Sequence, residues 1–177
     1  MAMQVRWLIP IGVGAATIAH VACATQFMSV EQAQRAAFPD ATAFVATAPM
    51  LDAATRKSID APAGWTPQIW QARRGDALLG WLMVDRVIGK SELITYALAL
   101  DAKGSVIALD VLDYRESHGG EIRLAPWRRQ FDGKTAADPV KLNHDIKNIS
   151  GATLSCRHVT EGVHRLLQLY ANLLHTS

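Results

Sequence analysis

From Ile69 the chain changes character: apolar residues begin to recur in strand-like runs, where the stretches before it repeat at helical spacing. "IWQARR", "ALLGWLMVDRVIG", "ELITYALALD" and "SVIALDVLDY" read as strands, because every second residue of a strand shares one face. "DAKG" joins the last two, and Gly89-Lys90-Ser91 reads as a hairpin turn before the third. In "ELITYALALD", Leu93, Thr95, Ala97 and Ala99 alternate with Ile94, Tyr96, Leu98 and Leu100, so both faces are largely apolar. A strand of that kind needs cover on both sides. The expected architecture is therefore α+β, an antiparallel meander with packed helices.

The helical segments flank this block. Ser29 opens "SVEQAQRAAF" with Gln32 three residues later, a capping-box spacing, and Pro39 ends the pattern. "MLDAATRKSI" predicts a second short helix, stopped by the turn-rich "DAPAGWTP". "RESHGGEI" reads as a glycine-bearing loop, "APWRRQFDGKT" as a short helix with Gly133 past its end, and "DPVKLNHDIKN" as a loop or helical turn. The last segment, "HVTEGVHRLLQLYANLLH", places Val159, Val163, Leu166, Leu167, Tyr170, Leu173 and Leu174 at spacings of three and four. It predicts an amphipathic helix despite Gly162. The sequence shows no internal repeat.

Composition narrows the class. The 177 residues are 50% hydrophobic and 19% charged, with a formal net charge of +2. That suffices for one domain with a core, and it argues against a disordered chain or a strongly basic nucleic-acid binder. At the N-terminus, Arg6 precedes the apolar run "WLIPIGVGAATIA", and Ala22-Cys23-Ala24 forms an A-x-A site. Residues 1–24 thus read as a secretory signal peptide cleaved after Ala24, or as an uncleaved N-terminal membrane anchor from Trp7 to Ala24. Either way the chain is expected to be exported, periplasmic or anchored facing the periplasm, with residues 25–177 as a single domain. If Cys23 leaves with the leader, Cys156 is alone and no intramolecular disulfide is available.

Several candidate chemistries fail on spacing. "IGKSE" has Val84 where a phosphate-binding P-loop needs its first glycine. His118, His144, His158, His164 and His175 show no metal-ligand spacing, though His118 and His158 sit where a cofactor contact would fit. Ser150 and Ser155 lack the G-x-S-x-G frame of a serine nucleophile. "NISGATLSCRH", residues 148–158, carries two open readings. Ser155 can be an ordinary N-cap of the last helix. Alternatively Gly151 and Ala152 let backbone approach a ligand, Thr153 and Ser155 supply hydroxyls, and the free N–H groups of the helix start attract a phosphate.

"SGATLS" also resembles the flavinylation signature, S/T-G-A-T-x-S/T, of the FMN-binding domain family. That domain is shared by the C subunit of sodium-translocating NADH:quinone reductase and the G subunit of the Rnf complex. "VLDYRESHGGEIRLAPWRRQFDGKT" is similar to the family's upstream segment, so the resemblance runs over roughly residues 80–170. It implies FMN bound by a phosphoester to Thr153, installed by a flavin transferase that uses FAD and magnesium. Ser150, Gly151 and Ala152 would form the recognition loop before the C-terminal helix, with Ser155 a further cofactor-binding residue at the helix start. Glu116, Ser117, His118 and Gly119 would contact the flavin, with Arg115 or Lys147 offsetting phosphate charge. The departure is at Lys147, where the signature usually has Asp three residues before its Ser; Asn148 follows it. The implied role is an extracytoplasmic electron-transfer flavoprotein, working with membrane-bound electron donor or acceptor proteins. No catalytic residue and no metal site is expected in such a carrier. The alternatives are a flavin-dependent periplasmic reductase and a non-flavinylated scaffold or assembly subunit.

Overall fold

The computed structural model describes residues 27–174. All four expected strands form: β2 (Gln68–Arg74), β3 (Ala77–Ile88), β4 (Leu93–Asp101) and β5 (Val106–Tyr114). They are preceded by β1 (Ala43–Thr47), which the residue pattern did not predict. The reason is its position at the sheet edge with no fully buried residue, so burial imposes no alternation on it. The sheet is an antiparallel meander in the order β1-β2-β3-β4-β5. The α+β expectation matches this architecture.

Both faces of β4 are covered, as its composition requires. Ile94, Tyr96, Leu98 and Leu100 join Trp81 and Met83 in the larger core, against Val159, Val163, Leu166 and Leu167 of the C-terminal helix α4 (Thr153–Leu169). Ala97 and Ala99 join Leu82, Val84 and Leu112 in the smaller core, against Ala33 and Phe38 from α1 (Val30–Ala37) and the residue that ends it. The first helix carries its capping box: the Gln32 N–H donates to Ser29 Oγ at 3.2 Å, and the Ser29 N–H to Gln32 Oε1 at 2.7 Å. Asp52 caps α2 (Ala53–Ser58) through its own carboxylate, which accepts from the Thr55 N–H at 2.7 Å.

Gly162 in the middle of α4 costs about 1 kcal/mol of helix propensity. Val159, Val163, Leu166 and Leu167 are fully buried, each worth about 2 kcal/mol, so packing wins. The glycine also has a positive reason: a Cβ there would stand 2.2 Å from the Tyr96 hydroxyl. Helix α4 starts at Thr153, five residues ahead of the apolar pattern that begins at His158. Small residues in its first turn give no apolar period, which is why the sequence hides it.

The chain between β5 and α4 folds back over the larger core. A 3-10 turn (Gly120–Arg123), the short α3 (Ala125–Arg128) and a second 3-10 turn (Arg129–Phe131) lead to Gly133, in left-handed backbone as expected. Backbone bonds of 2.8 Å from Gly133 N to Val106 O and from Val106 N to Lys134 O tie this segment to β5. Asp145 then organises the next loop, accepting from the N–H groups of Val140 and Lys141 and from Lys134 Nζ at 2.9 Å. Burial pushes its carboxyl up, but those donors outweigh it and hold the pKa at about 2. Further on, the Lys147 N–H donates to Gln130 Oε1 at 2.8 Å, and its carbonyl accepts from Trp127 Nε1 at 2.9 Å. The "NISGAT" stretch is delivered from a clamped residue. The expected leader at 1–24 lies outside the described residues, among which no helix is long and apolar enough to cross a membrane.

Candidate functional site

A cleft of about 1040 Å³ opens where the end of β5 meets the start of α4. One wall is built from Ser150, Gly151, Ala152, Thr153, Leu154 and Ser155, the other from Glu116, Ser117, His118, Gly119, Gly120 and Glu121. All nine residues singled out from the sequence therefore line one cavity, although the two groups lie far apart in the chain. Its size is at the upper end for a small-ligand pocket.

Tyr114, at the end of β5, stitches the walls together. Its hydroxyl donates to the His118 carbonyl at 2.5 Å and lies 3.1 Å from Ser155 Oγ. Desolvation, outweighing the Ser155 contact, raises its pKa, so the phenol stays protonated at neutral pH. Gly119 makes the close approach possible. Its φ is +84°, and a Cβ there would sit 2.7 Å from the Tyr114 hydroxyl and 3.0 Å from Ala152 Cβ. Across the cleft, Gly151 has a φ of +85° and nothing within 4 Å of the Cβ position, so only its backbone conformation demands glycine.

The helix start is open. Ala152 is the N-cap and makes no side-chain cap, and the N–H groups of Thr153, Leu154 and Ser155 have no acceptor among the described residues. Ser155 is not the cap that its position suggested. It is the third helical residue, buried, with its hydroxyl turned to Tyr114. Thr153 is the first helical residue rather than part of the preceding loop, and its exposed side chain lines the cleft. Asn148 Nδ2 lies 3.0 Å from Thr153 Oγ1. Three unpaired N–H groups at a positive helix end, beside a hydroxyl, suit an anionic phosphate.

The charges near the cleft differ from expectation. Arg115 pairs with Asp113 and lines a separate cleft with Arg86 and Gln68. It follows Tyr114 directly, and neighbours in extended chain point to opposite faces. Lys147 does not line the Thr153 cleft either. The cations that do are Lys90 and Arg123, the latter stacked 4.1 Å over the Phe27 ring. Glu116 serves the turn: its Oε1 accepts from the Ser91 and Glu92 N–H groups at 2.6 and 2.9 Å. Burial raises its pKa, yet these backbone donors and Lys90 bring it below the usual value.

His118 lines the cleft and accompanies Ser117, whose Oγ is 3.0 Å from Nδ1. His158 instead donates from Nδ1 to the Ile88 carbonyl at 2.6 Å and does not line the cavity. Cys156 is fully buried, with its thiol pushed up by desolvation. No group of three or more His, Cys, Asp and Glu that could hold a metal occurs among the described residues. Sequence reasoning missed Phe27, Lys90, Arg123, Leu124 and Tyr114 as lining residues. Only Tyr114 left a signal, as the last apolar residue of a strand running into the glycine loop.

An antiparallel sheet backed by a helix whose open N-terminus forms one wall of a cleft is a geometry that suits a phosphate-bearing ligand. Residues 89–168 match the FMN-binding domain family. The match spans both walls of the cleft, from the turn at Gly89 into α4. The chain is also similar to the G subunit of the ion-translocating oxidoreductase complex of Stutzerimonas stutzeri. The two are 27% identical over 115 residues, which cover 59% of this chain and 50% of that protein. The chain thus spans about half the length of this curated relative.

Proposed function

We propose that the protein is an extracytoplasmic electron carrier that holds FMN through a phosphoester on Thr153 and relays electrons between membrane-bound redox proteins. The observation that carries this reading is the wall of the cleft at Thr153. There an exposed hydroxyl stands beside three unpaired N–H groups, with Gly151 and Gly119 keeping backbone and cavity open. When bound, the flavin supplies one- or two-electron transfer. The N–H groups of Thr153, Leu154 and Ser155 would hold the phosphate, Tyr114 would keep the two walls in register, and Lys90 and Arg123 would lend positive charge.

Export rests on the leader-like residues 1–24, and a membrane-bound partner on the similarity to one component of an ion-translocating oxidoreductase complex. A tether through the phosphate leaves the ring free to meet a partner, which suits relay better than turnover of a small substrate. The test is co-expression with a flavin transferase, followed by intact mass. The mature chain should gain one FMN, and Thr153→Ala should gain none. A yellow protein without mass gain would replace the ester by non-covalent binding. A colourless protein without mass gain would overturn the carrier reading.

A further inference from the structure

We infer that Phe27 and the Arg123 guanidinium stacked on it, with Leu124 beside them, form the seat of the isoalloxazine ring in the cleft whose phosphate end is at Thr153. The inference rests on the flavin reading above and deepens it. Phe27 lies outside the segment 89–168 that matches the FMN-binding domain family.

The lining of the cleft is divided in kind. Ser150, Thr153 and the free N–H groups of the helix start offer polar partners, whereas Phe27, Leu124 and Leu154 offer exposed apolar surface. Eight large apolar side chains are exposed among the described residues, and three of them line this one cleft. Singly scattered apolar residues need no explanation, but a cluster of them in a concave site marks a binding surface. FMN is divided in the same way, with a phosphate and a hydroxylated chain at one end and a flat, largely apolar ring at the other. With its phosphate at the helix start, the ring needs a flat apolar surface in the same cavity. Two aromatic residues line it; Tyr114 is buried between the walls, which leaves Phe27 as the exposed aromatic plane.

Both members of the stack are held in place. The Phe27 N–H donates to the Leu112 carbonyl at 2.9 Å, and the next residues, Met28 and Val30, pack against the smaller core. The Arg123 guanidinium carbon lies 4.1 Å from the centre of the Phe27 ring, and its Nε donates to the Gly120 carbonyl at 3.0 Å. A Cβ at Gly120 would stand 3.1 Å from Arg123 Nη2, so the glycine there leaves the guanidinium uncrowded. No carboxylate forms a salt bridge with Arg123 among the described residues. A planar cation fixed flat on one ring and unpaired by any acid is a surface on which a second flat ring stacks. Phe27 and Leu124 remain 40% and 57% exposed, so this seat docks the ring without sealing it from an electron-transfer partner.

The experiment is time-resolved fluorescence anisotropy of the flavin in the flavinylated full chain, for wild type, Phe27→Ala, Arg123→Gln and Ile107→Ala. Intact mass and thermal unfolding of each are measured alongside. Ile107 is as exposed as Phe27 but stands at the far end of β5 and does not line the cleft. A seated ring tumbles with the domain, whereas a ring on a bare tether also reorients by itself within nanoseconds. All four chains should gain FMN, because none of the substitutions touches the wall at Thr153. Phe27→Ala should raise the fast-reorienting fraction about fivefold, the scale of one lost stacked contact. Arg123→Gln should raise it less, and Ile107→Ala should match wild type. A wild-type ring that already reorients freely overturns the seat and leaves the ester standing. So do folded Phe27→Ala and Arg123→Gln chains whose flavin reorients as in wild type. A chain that gains no mass but binds free FMN loses the ester, and the same measurement on that complex upholds or overturns the seat by the same criteria. A chain that binds no FMN overturns both.

Discussion

Midway along α4, Gly162 admits the Tyr96 hydroxyl, which donates to Asp85 Oδ2 at 2.9 Å, while Trp65 Nε1 donates to Asp85 Oδ1 at 2.8 Å. Each of those groups is buried and paired. Two and a half turns earlier, the same helix begins with three N–H groups that pair with nothing among the described residues and a threonine exposed to the cleft. The middle obeys the rule that buried polar groups find partners; the start leaves its donors for something from outside. If that contrast is real, substitutions in the middle will cost stability and leave attachment alone, and substitutions at the start will do the reverse.

The largest effect is expected from Asp85→Ala. It strips the acceptor from two buried donors, the indole N–H of Trp65 and the hydroxyl of Tyr96, and should cost about 3 kcal/mol in urea unfolding. A cost below about 1 kcal/mol would mean that water reaches the cluster, and the closed half of the comparison would fail. Gly162→Ala comes next. On an exposed helix this change gains about 1 kcal/mol. Here the new methyl would overlap the Tyr96 hydroxyl, and overpacking of that kind costs about 3 kcal/mol, for a net loss of about 2 kcal/mol. The sign is the informative part: a more stable Gly162→Ala protein would show that the glycine is incidental.

What could be read from the residues divides along the same line. The strands of the meander were legible, because two covered faces leave an apolar signature in β3, β4 and β5. The core stretch of α4 was legible for the same reason, and Ser150 to Thr153 because they spell a signature. Edge strand β1 was not, since nothing on it is fully buried. Nor was the first turn of α4, where Thr153 and Leu154 are exposed to the cleft and only Ser155 and Cys156 turn inward. Ser155 looked like a cap because local sequence cannot reveal a hydroxyl partner 41 positions away at Tyr114. The same limit explains Arg115: its pairing with Asp113 and its direction away from Tyr114 are properties of the folded sheet.

The open end depends on pH through Asp145, which holds the loop that leads to Asn148 and Thr153. Its folded pKa of about 2 lies below the ordinary 3.8, so the folded state binds its proton less readily than the unfolded state. The stability it contributes is complete above about pH 4 and is lost as the pH falls towards 2. Urea midpoints measured across that window should decline for the wild-type chain, and Asp145→Asn should flatten part of the decline. An identical slope in both would remove Asp145 as the anchor of the loop. Near neutral pH the same substitution should slow flavin attachment only through loosening of the loop, a smaller effect than losing Thr153.

The smallest stability change is expected at the residue that matters most to the proposed chemistry. Thr153 is exposed, so Thr153→Ala should shift unfolding by no more than about 0.5 kcal/mol. The sign should be slightly stabilising, because alanine is the better helix former and the hydroxyl's one contact is with Asn148. Attachment, by contrast, should vanish altogether. That pairing of near-zero stability cost with complete loss of mass gain is what a residue kept for a ligand predicts. A Thr153→Ala chain losing about 2 kcal/mol or more would instead make the threonine a structural element of the helix start. The open end of α4 would then be one more way of ending a loop.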